Sequence, residues 1–388
     1  MKVVNHYESL GLVPTASSAD VKRAYRRLAR KLHPDVNRAK NAQRQMAELN
    51  EAYRVLIDPD LRAEYDAARR SSVVDAPPPP TVAGELLIEH AYTITNVPSP
   101  VYCVAFSPNS RKLAIGCFDN VLRVISVKKA NPLIELELQG GSLTDMRWIS
   151  NDRIVAAGES DRSVYTWNVS HGRVTESKSK KAEWVSQLAI SPDGKRIALG
   201  SVHRSLVVIE RRSGRTVYMR RRHESPISAV AYSSDGRLIA TGGGDEAVVL
   251  YEAETGLEYA MLRPVGASPV QIAFDARDRM LGVALADRTI RVYALKTGES
   301  LKSLWGHEKP IESIAFHPSG WLLASACRKG ETRLWNVLGG RLLNKLTGHN
   351  GPIKSVAFSP DGRWLATGGL DRAVSIWSVE VGAAPQPG

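Results

Sequence analysis

The sequence predicts a chain in two unlike parts: a small all-α domain at the amino terminus, then an all-β ring of seven four-stranded units. Three observations predict this. Apolar residues Val21, Tyr25, Leu28 and Leu32 recur at near-helical spacing within the first 70 residues. Residues 71–80 then change character abruptly and end in four consecutive prolines. Beyond them, two apolar columns recur at a fixed step of 42 residues, seven times each.

Length and composition set the frame. At 388 residues the chain is long for a single core, and 43% hydrophobic content supports large folded cores rather than general disorder. The formal charge is +12, from 52 basic and 40 acidic residues, which attracts an acidic protein face, nucleic acid or a membrane surface without choosing among them. Cys103, Cys117 and Cys327 form no CxxC pair and read as buried free thiols in a reducing compartment, so no zinc site is expected. The first five residues lack a basic flank followed by a long apolar run, and no segment reaches membrane-spanning length, so a soluble cytoplasmic protein is expected.

In the first part, Ser17 or Ser18 caps a helix whose inward stripe is Val21, Tyr25, Leu28 and Leu32. Lys22, Arg23, Arg26, Arg27, Arg30 and Lys31 fall largely outside that stripe. A second helix runs from about 41 to 57, with Met46, Leu49, Tyr53 and Leu56 facing inward, and Asp58-Pro59 ends it. A short helix over 60–67 follows, and Tyr7 and Leu10 add a small amphipathic turn to the same core. Between the two long helices stands His33-Pro34-Asp35. Pro34 restricts the turn and Asp35 offers a carboxylate to a basic partner group. His33 is read as a hydrogen-bonding group, not a proton-transfer base.

These pieces occur in a telling order: Tyr7-Glu8-Ser9-Leu10-Gly11-Leu12, the basic helix from Tyr25 to Lys31, His33-Pro34-Asp35, Leu49-Asn50-Glu51-Ala52-Tyr53, then Asp58-Pro59 and Tyr65-Asp66. With them, residues 4–68 resemble the J-domain of DnaJ-type co-chaperones. The loop after the tripeptide, from Val36 to about Lys40, is comparatively short. The resemblance implies that His33, Pro34 and Asp35 shift a nucleotide-bound DnaK-type chaperone towards its hydrolysis-competent, tightly substrate-binding state. It also implies that Lys22, Arg23, Arg26, Arg27, Arg30 and Lys31 dock on an acidic face of that chaperone. ATP would be bound by the partner, and this chain would carry no cofactor of its own.

Residues 69–86 read as a Ser/Pro-rich linker. Pro77 to Pro80 favour extended polyproline geometry, which suits a spacer better than a ligand for a proline-binding module. The first repeating column is Phe106, Trp148, Ile190, Tyr232, Phe274, Phe316 and Phe358; the second is Ile125, Trp167, Ile209, Tyr251, Tyr293, Trp335 and Trp377. Within one unit, alternating strands are separated by turns such as Ser359-Pro360-Asp361-Gly362 and Leu370-Asp371-Arg372. A single unit cannot bury both faces, and radial packing of neighbouring sheets solves that problem. The expectation is a seven-bladed β-propeller over 87–381. Residues 87–95 supply the outer strand of the last blade, and 382–388 form a flexible tail.

Gly306-His307 with Trp335-Asn336, and Gly348-His349 with Asp371 and Trp377, give this half its resemblance to the WD-repeat propeller family. That resemblance implies a structural network from His349 through Thr367 and Asp371 to Trp377. The fourth unit keeps His223, Thr241 and Asp245 but has Tyr251 in place of the indole; the sixth has Lys329 where a carboxylate is expected. The same His/Ser/Asp combinations could suggest a hydrolase, but their recurrence at blade positions favours structure, and no single place gathers nucleophile, base and oxyanion donors. Gly242-Gly243-Gly244 is placed at a turn between strands, with little prospect of cradling phosphate.

Taken together, the expectation is a non-enzymatic co-chaperone whose propeller recruits a protein client or complex. It lacks the glycine/phenylalanine-rich and cysteine-rich regions of general-purpose DnaJ proteins. The rival readings are a non-stimulating scaffold and a nucleic-acid-targeted adaptor. The latter would use a basic ring of Arg162, Arg204, Arg288 and Arg372, each of which also reads as an ordinary solvated arginine.

Overall fold

The computed structural model describes residues 6–10, 18–32, 42–59, 61–62, 65, 86–95, 97–137, 143–158, 164–170, 173–177, 185–262 and 267–382. The chain divides into two compact units, with the main boundary between Ala83 and Gly84. The proline run 77–80 and the tail beyond 382 lie outside the described residues.

The first unit contains α1 (His6–Ser9), α2 (Ser18–Leu32) and α3 (Ala42–Ile57). In α2, Val21, Ala24 and Leu28 are buried, a spacing of three and four that puts them on one face. Leu49, Ala52, Val55 and Leu56 of α3 and Leu10 after α1 complete a small core. The rings of Tyr25 and Tyr53 stack 4.1 Å apart, and the Tyr25 hydroxyl donates to Asn50 Oδ1 at 2.9 Å. After α3, the Asp58 carboxylate accepts from the Leu61 amide at 3.1 Å, so Asp58 caps the next helical turn as well as ending α3. Pro59 sits at the first position of that turn, where its missing N–H costs nothing.

The second unit is a propeller of seven four-stranded antiparallel sheets, as the 42-residue step requires. Six sheets use four consecutive strands. The seventh combines Ile353–Phe358, Trp364–Gly369 and Val374–Val381 with Leu86–Ile94 from the start of the unit. That closing strand pairs with Val374–Val381 from Leu86↔Val381 to Ile94↔Val374. The first column of aromatic and aliphatic residues lies at or near the ends of the innermost strands, and the second lies on the third strands.

Innermost strands of adjacent blades diverge too much for a backbone ladder, so side chains bridge them. Ser228 Oγ donates to the Pro269 carbonyl at 2.5 Å, and the Val356 and Val104 amides donate to Ser313 and Ser355 Oγ at 3.0 and 3.1 Å. Ser186 with Ile227 and Gln271 with Ile314 make the same kind of link. Close approach also needs small residues: a Cβ on Gly368 would lie 2.6 Å from Val101 of the first blade. The triple glycine belongs to this packing. Gly242 and Gly243 end the strand Leu238–Gly243, and a Cβ on Gly242 would lie 2.6 Å from Pro269, so the run is largely strand rather than the turn expected.

The histidine networks form in part. In the seventh blade, His349 Nδ1 lies 3.0 Å from the Asp371 carboxylate and Nε2 lies 2.9 Å from Thr367 Oγ1. Trp377 does not join them: its buried Nε1 has no hydrogen-bond partner. The indole instead meets the ring of His90, its register partner on the closing strand, edge-on at 4.9 Å. Packing supplied by the closing strand thus holds the ring, and the expected indole donation is absent. The fourth blade repeats the first two links, with His223 at 2.9 Å from Asp245 and 2.7 Å from Thr241.

The sixth blade is the complement. Trp335 Nε1 does donate to Ser325 Oγ at 2.7 Å, and His307 Nε2 lies 2.6 Å from the same hydroxyl. Lys329 points instead to Glu308 at 2.7 Å, which leaves His307 Nδ1 buried without a partner. Burial first, then the charges of Arg333 and Lys345, bring the His307 pKa down to about 3. Arg333 pairs with Glu331 in the interior and occupies the space a side chain at Gly306 would need.

Two predictions follow from the orphaned imidazole nitrogen. Lys329→Asp gives it the carboxylate that His223 and His349 have, and should raise the urea-unfolding free energy by about 1 kcal/mol. A depressed histidine pKa means the unfolded chain binds the proton first, so stability is lost as pH falls below 6.5 towards 3. His307→Asn should remove about one proton from that dependence, which the slope of unfolding free energy against pH would measure.

Candidate functional site

The helical unit builds its site by dividing α2 into two faces. Burial of Val21, Ala24 and Leu28 against α3 forces the remaining positions outward. Lys22, Arg23, Arg26, Arg27 and Arg30 are all exposed. Lys22, Arg26 and Arg30 fall on one stripe at i, i+4, i+8, and Arg23 and Arg27 lie on the stripe beside it. Arg23 forms an i,i+3 pair with Asp20, a solvent-exposed contact that contributes little. Lys22, Arg26, Arg27 and Arg30 make no ion pair among the described residues. The Lys31 side chain and the whole of His33, Pro34 and Asp35 lie outside the described residues. The helix carrying the cations therefore runs to Leu32, the residue immediately before the tripeptide.

Asn50 enters the sequence reading only as part of a motif, and Arg54 is absent from it. Asn50 anchors the Tyr25 hydroxyl across the α2–α3 contact, and Arg54 pairs with Glu51 at 2.7 Å on the outer side of α3. An asparagine one turn before an inward tyrosine was the available signal.

On the propeller, the proposed arginine positions share a backbone role. Arg204, Arg288 and Arg372 have φ of 67°, 74° and 60°, and Arg162 lies outside the described residues. Asn120, Glu246 and Gly330 take the same left-handed position in other blades, with φ of 61°, 61° and 83°. Each is the tight-turn residue between second and third strands. A glutamate, an asparagine and a glycine interrupt the series, so the arginines form no continuous basic ring. At Gly330 a side chain is excluded outright, since its Cβ would lie 2.6 Å from the His349 carbonyl oxygen.

Two of the recurring histidines are already fully engaged within their blades. The side chains of His223 and His349 are shielded from solvent and engaged at both ring nitrogens, so neither presents a free nitrogen to a substrate. Cys103, Cys117 and Cys327 are buried and form no disulfide, and burial pushes the Cys117 thiol up to about 11, far from thiolate chemistry at neutral pH. Among the described residues no cluster of metal ligands occurs, and no helix is long and apolar enough to cross a membrane.

The division of α2 is testable by stability. Leu49→Ala should destabilise the helical unit by about 2–5 kcal/mol, whereas Arg26→Ala with Arg27→Ala should change it by no more than about 0.5 kcal/mol per site. Thermal melts followed at 222 nm on the isolated helical transition would separate the two classes.

Comparison with known proteins matches this geometry part by part. The DnaJ domain family matches residues 5–66, and the WD domain, G-beta repeat, matches 90–126, 298–336 and 340–378. The anaphase-promoting complex subunit 4 WD40 domain matches 191–271. Among curated relatives, a chaperone protein DnaJ of Rippkaea orientalis is 49% identical over 72 residues, which is 19% of this chain and 19% of the relative. Chaperone protein DnaJ of Roseiflexus sp. is 47% identical over 73 residues, 19% of this chain and 20% of the relative. That of Thermosynechococcus vestitus is 55% identical over 60 residues, 16% of each. The chain thus spans no more than a fifth of the length of these relatives, and the likeness lies in the helical unit. The chain carries an amino-terminal DnaJ domain, the J-domain of the co-chaperone family, followed by WD repeats closed into a seven-bladed propeller.

Proposed function

We propose that this chain is a specialised co-chaperone: its J-domain stimulates ATP hydrolysis by a DnaK-type chaperone, and its propeller recruits a protein client or complex to that chaperone. The observation that carries this reading is the face of α2 bearing Lys22, Arg26, Arg27 and Arg30. These cations have no ion-pair partner among the described residues, on a helix fixed from behind by its core and continuous up to His33-Pro34-Asp35. Such a surface speeds and orients encounter with an acidic chaperone face. His33, Pro34 and Asp35 then engage the partner, which holds the ATP; this chain regulates the reaction and is not itself an enzyme. The propeller contributes turn loops held by rigid blades, the arrangement on which binding residues are commonly mounted. Three buried cysteines without a disulfide fit a reducing cytoplasm.

A single-turnover ATPase assay with a DnaK-type chaperone tests this. His33→Gln or Asp35→Asn should reduce stimulation to background while leaving the helical melt unchanged. Arg26→Glu with Arg27→Glu should weaken it on the order of tenfold at low salt, with a smaller effect at high salt. Full stimulation by the tripeptide variants would refute the assignment, and binding without stimulation by the native chain would make it a scaffold.

A further inference from the structure

The propeller's charge is concentrated on one blade. Residues 185–222, the third blade and its exit, hold nine arginines and lysines against two acidic residues. From residue 71 to the end the surplus of basic over acidic residues is also seven, so the remaining blades are neutral in sum. Exposed edge strands are often protected by basic residues and bulges, but that protection is common to the ring. Register breaks occur in the outer strands of several blades, including Leu133–Ile134, Val217–Tyr218 and Tyr259–Ala260, whereas a surplus of seven occurs only here; the sixth blade, over 311–348, has five basic against two acidic residues. Edge protection therefore does not account for it.

The third blade's outer hairpin arranges these charges at both ends of an apolar middle. Its strands are Leu206–Glu210 and Thr216–Arg220, with Leu206 opposite Arg220. Arg212 and Arg215 lie at the turn joining the strands, while Arg204 and Arg221 line, with His203 and Glu224, a hollow of about 430 Å³ at the open end, where Arg221 also donates to Ser205 Oγ at 3.2 Å. Between them, Val217 and Met219 are exposed by 38% and 42% on a strand whose only sheet neighbour is Leu206–Glu210. Arg204, Arg212 and Arg215 make no ion pair among the described residues. Like charges crowd here too: burial, then the charges of Arg153 and Arg212, hold the Arg211 guanidinium below its ordinary range. By contrast Arg220 is occupied, donating to the Thr255 and Gly256 carbonyls at 2.8 and 2.7 Å.

We infer that this outer hairpin is a docking surface for an acidic polypeptide segment, with carboxylates at Arg204 and Arg221 and at Arg212 and Arg215, and apolar side chains against Val217 and Met219. The inference rests on the client-recruiting reading above and gives that client its chemistry. A polypeptide fits better than a nucleic acid because the hairpin offers no exposed aromatic ring for base stacking: Tyr218, its one aromatic residue, is buried, and its hydroxyl donates to the Ala253 carbonyl. The exposed groups between the cations are aliphatic, matching the apolar centre and charged rim of protein interfaces.

The test uses the full chain and fluorescence anisotropy with three labelled probes: an alternating glutamate–leucine peptide, its glutamine–leucine counterpart and oligothymidylate. The glutamate peptide should bind and the glutamine peptide should not. Arg204→Gln, Arg212→Gln and Arg215→Gln together should weaken binding by about tenfold or more. Val217→Ser with Met219→Ser should weaken it without altering its salt dependence. Changing Arg288, Lys329 and Arg372 to glutamine should leave it intact. Failure of the glutamate peptide to bind, or binding indifferent to the Arg204, Arg212 and Arg215 changes, would overturn the inference. Oligothymidylate binding as tightly and lost in the same variant would overturn it in favour of a nucleic-acid surface. ATPase stimulation by each variant is read in parallel and reports the J-domain reading separately, so either can fail alone.

Discussion

Leu86–Ile94 lies along Val374–Val381 over eight register pairs, and the rest of the propeller depends on that contact. Without it, the seventh sheet would end at its third strand and leave an open row of backbone donors and acceptors. Thr93 and Ser375, whose hydroxyls lie 2.9 Å apart, are separated by 282 residues, a loop whose closure costs about 5 kcal/mol on logarithmic scaling. The ladder and the burial of Leu86 and Ile88 against Trp377 and Val379 offset that cost. Once the ring is shut, every blade has a neighbour on both faces, which no open arrangement of the same units provides.

Closure also explains why the blades tolerate unequal internal networks. The seventh blade lacks the indole hydrogen bond and the sixth lacks the carboxylate, yet both are complete four-stranded antiparallel sheets. Hydrogen bonds of this kind each contribute on the order of 1 kcal/mol, whereas a blade is held by apolar burial on two sides and by side-chain bridges between inner strands. The networks fix loop geometry rather than decide the fold.

The fold was legible because its signals are redundant. Seven repeats of the Phe106 and Ile125 columns survive any one departure, and the Val21, Tyr25, Leu28 and Leu32 spacing on α2 leaves few places for the cations to go. The missed features are those set by neighbours distant in sequence. Trp377 was assigned a donor role from its own blade, but His90 on the closing strand decides its environment. Gly242 was read as turn, but Pro269 of the next blade decides why it is glycine. Arg204, Arg288 and Arg372 allowed a basic ring beside the reading of ordinary solvated arginines, and the backbone conformation of the turn is what recurs. The docking face and the activating loop rest on motif order, and His33, Pro34 and Asp35 lie outside the described residues.

The strand that seats the ring comes from the beginning of the propeller segment, and its seat comes from the end. Synthesis proceeds in the opposite sense to this requirement: the first piece made must wait for the last. The helical unit, by contrast, draws its contacts from within a short stretch and precedes the ring, so it is complete while the nascent propeller still has a gap. Loss of the residues from Val374 onward would therefore be felt at both extremities of the ring, because the earliest strand would have nothing to lie against.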